Sequence, residues 1–207
     1  HRHENYVSKN THTQLGDRLI WYTQHKEELS RRDQFLARHT LAQIEPDLFD
    51  QACKMLADTN HHLYIVGGRI THTLAEYLFL HMQAIRPKIT HIQSTSNAWP
   101  HYLLDVQPED VCVIFDMRRY ENNTLKLAEI AHGKGAKVIL ITDQWRSPVN
   151  NLANISLSNR IVVPSAWDSA ATTLLLVETM IASVQNLNWG DTKDRMEDLE
   201  DMFDQTK

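Results

Sequence analysis

Three short stretches hold the residues best suited to bind a small charged molecule: Gly67-Gly68-Arg69-Ile70-Thr71, Asp116-Met117-Arg118-Arg119-Tyr120 and Thr142-Asp143-Gln144-Trp145-Arg146-Ser147-Pro148. In the first, glycines let the backbone approach a ligand, Thr71 offers a hydroxyl and Arg69 a guanidinium that pairs with an anion. The apolar run HLYIV breaks at Gly67-Gly68 and restarts as a helical pattern, which puts backbone N–H groups at a helix mouth where an anion can be held. In the second, adjacent arginines follow an apolar run directly, and Asn122 or Asn123 is placed to cap the next helix. The alternative for these arginines is a surface ion pair with Asp116 or Glu121, worth under about 1 kcal/mol. In the third, Ser147-Pro148 reads as the capped start of a short helix. A further stretch, Ser165-Ala166-Trp167-Asp168-Ser169, opens the last long apolar helical pattern, with Ser165 and Asp168 as candidate caps and ligand contacts. Trp167 suits the core as well as a ligand platform.

The elements that must position these loops are apolar strands alternating with amphipathic helices, the pattern of βαβ units and a parallel sheet. Strands are expected at 62–66, 88–93, 110–115 and 137–142, with a weaker one at 154–157 continuing toward 161–163. VCVIF and VILIT are continuous apolar runs, as befits parallel strands buried on both faces. Helices are expected at 70–85, 97–104, 122–134 and 166–187, and an earlier one starts at Pro46 or Asp47 and runs to Asp58. In an open parallel sheet, ligands bind beyond the carboxyl ends of the strands, which is where the three loops fall.

Outside this region the order weakens. Residues 2–16 are polar and without period, whereas 17–40 recur near helical spacing as one long or two short connector helices. The division expected is 1–46 as irregular start and connector, 47–190 as the ligand-binding domain, and 191–207 as an acidic helix or tail. At 207 residues the chain is long enough for one well-buried domain with an extension. A net charge of −5 argues against the whole chain wrapping nucleic acid. No apolar run reaches the roughly 18 residues a membrane span needs, so no membrane partner and a cytoplasmic location are expected. Cys53 and Cys112 fall in apolar patterns and suit buried, reduced thiols. The histidines are scattered with no metal-binding spacing, so neither a metal nor a cofactor is expected.

The segments IVGGRITHTLAEYL, DVCVIFDMRRYENNTLKLAEIAHGKGAKVILITDQWRSPV and PSAWDSAATTLLLVETMIASV, in that order, resemble the sugar isomerase (SIS) domain. The closer resemblance is to the effector-binding half of the RpiR/MurR family of bacterial transcription regulators, over about Asp47 to Asn188. It implies an α/β fold, a three-layer sandwich with a five-stranded parallel sheet, that assembles as a homodimer or tetramer and senses a metabolite. It also implies DNA binding through a helix-turn-helix domain, which is not evident in this chain because the region before Asp17 is too short and irregular to be one. Phosphosugar-binding SIS domains carry Gly-x-Gly-x-Ser in the first loop and Ser-x-Ser-Gly-x-Thr in the second. Here Arg69 and Thr71 stand in the first pattern, and Asp116, Arg118, Arg119 and Glu121 in the second.

Charges thus replace hydroxyl donors, and the resemblance leaves a sugar phosphate, a carboxylate or a zwitterion as the effector. The ligand contacts expected are Gly67, Gly68, Arg69, Thr71, Asp116, Arg118, Arg119, Tyr120, Ser165 and Asp168. The rival class is a phosphosugar isomerase, which needs a general base, for which Glu178 or His72 are candidates. Glu178 falls among Leu174, Leu175, Leu176 and Val177 with no second proton-transfer group beside it, so a sensor rather than an enzyme is expected.

Overall fold

The computed structural model describes residues 38, 42–93, 96–162 and 168–206. The connector helices expected over 17–40 lie, but for Arg38, outside the described residues, as do Ser165 and Trp167. Strand and helix alternate as the apolar pattern predicts: α1 (Pro46–Ala57), β1 (Leu63–Gly67), α2 (His72–Ile85), β2 (Ile89–Ile92), α3 (Trp99–Leu104), β3 (Val111–Asp116), α4 (Asn122–Gly133), β4 (Lys137–Asp143), β5 (Ile155–Asn159), α5 (Ala171–Leu187) and α6 (Trp189–Gln205). Short 3-10 turns at Ser96–Ala98 and Pro148–Asn151 complete the series.

All pairings are parallel and the sheet runs β2-β1-β3-β4-β5. β1 and β3 are buried along their whole length, which is why both read as unbroken apolar runs. Side chains of successive strand residues serve opposite faces. Leu63, Ile65, Val113 and Phe115 join α1, α2 and α5 in one core, whereas Tyr64, Val66, Cys112 and Ile114 join α3 and α4 in the other. Three layers result.

Helices form where the apolar spacing is right and end where the backbone is forced to turn. In α2, Leu74, Leu78, Met82 and Ile85 recur every three or four residues and are buried. The chain turns out of α4 at Gly135, two residues past its end, whose φ of 87° is left-handed. There Gly135 N–H bonds His132 O (2.9 Å) and Ala136 N–H bonds Ala131 O (3.1 Å), closing the last turn. Arg86, fully buried just past α2, donates to the carbonyls of Leu56 (2.7 Å), His61 and Pro87 (3.1 Å), tying the end of α1 to the start of β1. Cys53 and Cys112 are buried and free.

Several boundaries differ from expectation. The helix expected from Ile70 begins at His72, because Ile70 and Thr71 form the turn that carries the site. β2 is trimmed to Ile89–Ile92. β5 stops at Asn159 because its one strand neighbour, β4, ends in register there at Asp143; beyond it Ile161 N–H bonds the Gln144 side chain instead (3.2 Å). The helix expected from Ala166 begins at Ala171, and Ser169, not Asp168, offers its hydroxyl to the Ala171 N–H (3.3 Å).

Candidate functional site

The strand order reverses between β1 and β3: the chain leaves β1 toward β2 on one side, then returns to build β3, β4 and β5 on the other. Loops at the carboxyl ends of strands diverge at such a switch point and leave a crevice. The β1–α2 and β3–α4 loops meet there around a cavity of about 240 Å³. Gly68, Arg69, Thr71, Asp116, Arg118, Arg119 and Asp168 line it together, as do Ile70, Met117 and Glu121, which sequence reasoning did not place among the contacts. Gly67 and Tyr120 are not in the lining.

Gly67 serves by close approach. A Cβ there would stand 2.6 Å from the backbone of Thr71 and from His72 N, so α2 can seat its first turn against the end of β1 only over a glycine. Thr71 then staples the loop: its hydroxyl donates to Phe115 O (2.9 Å) and accepts from Gly68 N–H (2.8 Å). The hydroxyl proton expected for a ligand is committed to β3.

The helix mouth is more occupied than the glycine turn suggests. His72 N–H bonds Gly68 O (2.8 Å), and the amides of Thr73, Leu74 and Ala75 bond Ile70 and Thr71 carbonyls. Arg69 N–H donates to Glu121 Oε1 (3.2 Å) across the cavity. Glu121 is the N-cap of α4 in place of Asn122 or Asn123, but its side chain makes no bond to that helix. Asn123 turns instead to Ser96 Oγ (3.2 Å).

The second and third loops are sewn together by buried carboxylates. Asp143 accepts from Arg118 N–H (2.6 Å), the Tyr120 hydroxyl (2.6 Å) and Trp145 N–H (2.9 Å). Those bonds hold Arg118 at a φ of 62°, a conformation few non-glycine residues adopt. Burial and the bond to Asp143 push the Tyr120 phenol well above its ordinary range, so Tyr120 acts as a fixed donor that positions the loop. Asp116 accepts from the Ser147 hydroxyl, which also caps the turn at Pro148 by accepting from Val149 N–H (3.1 Å).

Burial pushes the Asp116 carboxyl up; the Ser147 hydroxyl and Glu121 amide oppose this, and the Glu121 and Asp143 carboxylates add to it. Arg118 pairs with Asp168 (Nε to Oδ2, 3.3 Å) and lies 4.7 Å over the Trp145 ring, rather than pairing with Asp116 or Glu121. The guanidinium groups of Arg69 and Arg119 have no ion pair among the described residues.

Neither candidate general base lines the cavity. Glu178 is on α5, exposed, and accepts from the Tyr77 hydroxyl (3.2 Å); it is not in the cavity lining. His72 Nδ1 lies 3.0 Å from Arg69 O. Among the described residues no group of three or more His, Cys, Asp or Glu is arranged to hold a metal, and no helix is long and apolar enough to cross a membrane. A second concavity, of about 530 Å³, opens at the amino ends of the strands beside His62, Lys88, His101 and Asp110.

Residues 55–183 match the SIS domain family. No curated protein matches the chain by sequence. Among solved structures, the sugar isomerase domain of an RpiR transcription factor from Sphaerobacter thermophilus superposes with a TM-score of 0.78 at 17% identity, over 86% of this chain and 98% of that one. The NanR protein of Vibrio vulnificus, complexed with ManNAc-6P, gives 0.71 at 13% identity, over 91% and 73%. A phosphoheptose isomerase from Francisella tularensis gives 0.59 at 18% identity, over 84% and 100%. At these identities the likeness is one of fold.

Proposed function

Because the chain belongs to the SIS domain family, we propose that it is the ligand-sensing and dimerisation portion of a bacterial transcription regulator of the RpiR type. A small anionic or zwitterionic metabolite, a sugar phosphate or a carboxylate, binds in the β1/β3 cavity and shifts the DNA affinity of a helix-turn-helix domain to which residues 1–46 connect. Binding at one site changes affinity at another only if the two states hold the ligand differently. The loops supply such a device, since Arg118 lies between Trp145 and Asp168 and a ligand anion competes with Asp168 for it.

The observation that carries the reading is the cavity lining: three arginines meet at the switch point, while neither candidate base for an isomerase, Glu178 or His72, is in it. The likeness to NanR, seen with the phosphosugar ManNAc-6P, supports the ligand class. The likeness to a phosphoheptose isomerase supports the second reading, an isomerase-type enzyme.

A thermal-shift screen of phosphosugars, amino acids and carboxylates distinguishes them when run beside Arg69→Ala and Arg118→Ala. The sensor reading expects a specific stabiliser that the chain does not convert and that both variants fail to bind. Turnover of a phosphosugar by the unaltered chain, or a stabiliser bound equally by both variants, refutes it.

A further inference from the structure

We infer that Glu121 is the specificity-determining residue of this cavity, and that its carboxylate makes the site select ligands bearing an ammonium group beside their anion over simple phosphomonoesters. The inference rests on reading the cavity as an effector site.

Three observations meet at Glu121. Its Oε1 accepts the Arg69 N–H (3.2 Å) and lies 3.3 Å from where a side chain on Gly68 would begin, so a carboxylate already sits over the glycine turn at the mouth of α2. The Gly68 amide and those of His72 to Ala75 are held by backbone carbonyls or by the pinned Thr71 hydroxyl, whereas the Arg69 amide is held by the Glu121 side chain. A ligand anion reaching that amide must expel Glu121 and then meets it as a like charge. The free cations lie on the same cavity: Arg69 and Arg119 lack an ion pair among the described residues, whereas Arg118 is partly neutralised by Asp168.

Among the described residues, the cavity therefore offers two guanidinium groups without an ion pair and, at Glu121, a carboxylate whose one hydrogen bond is to a neutral amide. A molecule with an anion for Arg69 and Arg119 and an ammonium for Glu121 satisfies both without displacing anything. A phosphomonoester with no amine satisfies the arginines and leaves Glu121 repelling it.

Isothermal titration of the chain with two probes that differ only in the amine, O-phosphoethanolamine and ethyl phosphate, tests this. The unaltered chain is expected to bind phosphoethanolamine at least about tenfold more tightly, the scale of one charge-assisted hydrogen bond. Glu121→Gln, which keeps the size and removes the charge, is expected to erase that preference by tightening ethyl phosphate and weakening phosphoethanolamine. Glu121→Ala should tighten ethyl phosphate further by clearing the Arg69 amide. Equal affinity for both probes in the unaltered chain, lost in Arg119→Ala, would leave the effector site standing and overturn the role of Glu121. A preference that survives Glu121→Gln, or binding of neither probe, overturns the inference as well.

Discussion

Replacing Gly67 by alanine puts the link between the glycine turn and the site under the heaviest strain. The added Cβ meets His72 N and the carbonyl group of Thr71 at 2.6 Å, about 0.8 Å short of ordinary van der Waals contact, and the atoms it meets are backbone. No side chain can rotate away, so the first turn of α2 must lift off β1. Overpacking of that kind costs about 1–3 kcal/mol. Lifting the turn also strains the Gly68–Thr71–Phe115 staple, a further loss of about 1 kcal/mol.

The expected total is about 2–4 kcal/mol, read as a shift in urea midpoint at unchanged slope, or as a fall in Tm of roughly 5–15 °C for a chain of this size. Gly68→Ala is the internal control. Its Cβ meets first the Glu121 Oε1 at 3.3 Å, the end of a flexible side chain that can swing out, so its cost stays under about 1 kcal/mol. A Gly67→Ala protein within about 0.5 kcal/mol of the unaltered chain, or Gly68→Ala as damaging as Gly67→Ala, would refute the seating of α2 on β1.

Arg86→Met keeps the volume but strips the buried carbonyls of Leu56 and His61 of their donor, and is expected to cost about 3–5 kcal/mol by chemical denaturation; a loss under about 1 kcal/mol would show that the guanidinium does not anchor α1. The pH dependence of stability carries the mark of Asp116, whose carboxyl burial raises in the folded chain. From an unfolded value of about 3.9, a raised folded pKa gives stability that is whole below that pH and lost as pH climbs through the folded pKa. The stability of Asp116→Asn relative to the unaltered chain should therefore rise above about pH 4 and then level off. A difference that falls with pH would mean that the Ser147 hydroxyl and Glu121 amide outweigh burial.

Period and turn chemistry made the fold legible, because β1, β3 and β4 are apolar runs covered on both faces and α1, α2, α4 and α5 each carry a stripe of core residues. Ends were less legible where tertiary partners decide them. β5 stops where β4 stops, and α5 starts five residues later than its apolar pattern because residues 168–170 stand outside the helix, with the Ser169 N–H on Ile161 O (2.8 Å).

At the site, the arginines and glycines were visible as types, and the cavity gathers Arg69, Arg118 and Arg119 as the loop positions implied. Their partners were not visible. Glu121 lies 52 residues from Arg69 in sequence, and the Asp143 that orders Arg118 and Tyr120 comes from the next strand. Hydrogen bonds across loops leave no periodic trace in a single chain. The one signal available for Glu121 was its charge in a position where the related pattern has a hydroxyl.

The most direct test of the central claim is to map where the tightest ligand from the metabolite screen binds, by titrating isotope-labelled protein and following backbone amide shifts. The saturable changes are expected to centre on Gly68, Arg69, Arg118 and Arg119, around the cavity at the carboxyl ends of β1 and β3. Changes centred instead on His62, Lys88 and Asp110, at the opposite end of the sheet, would contradict it.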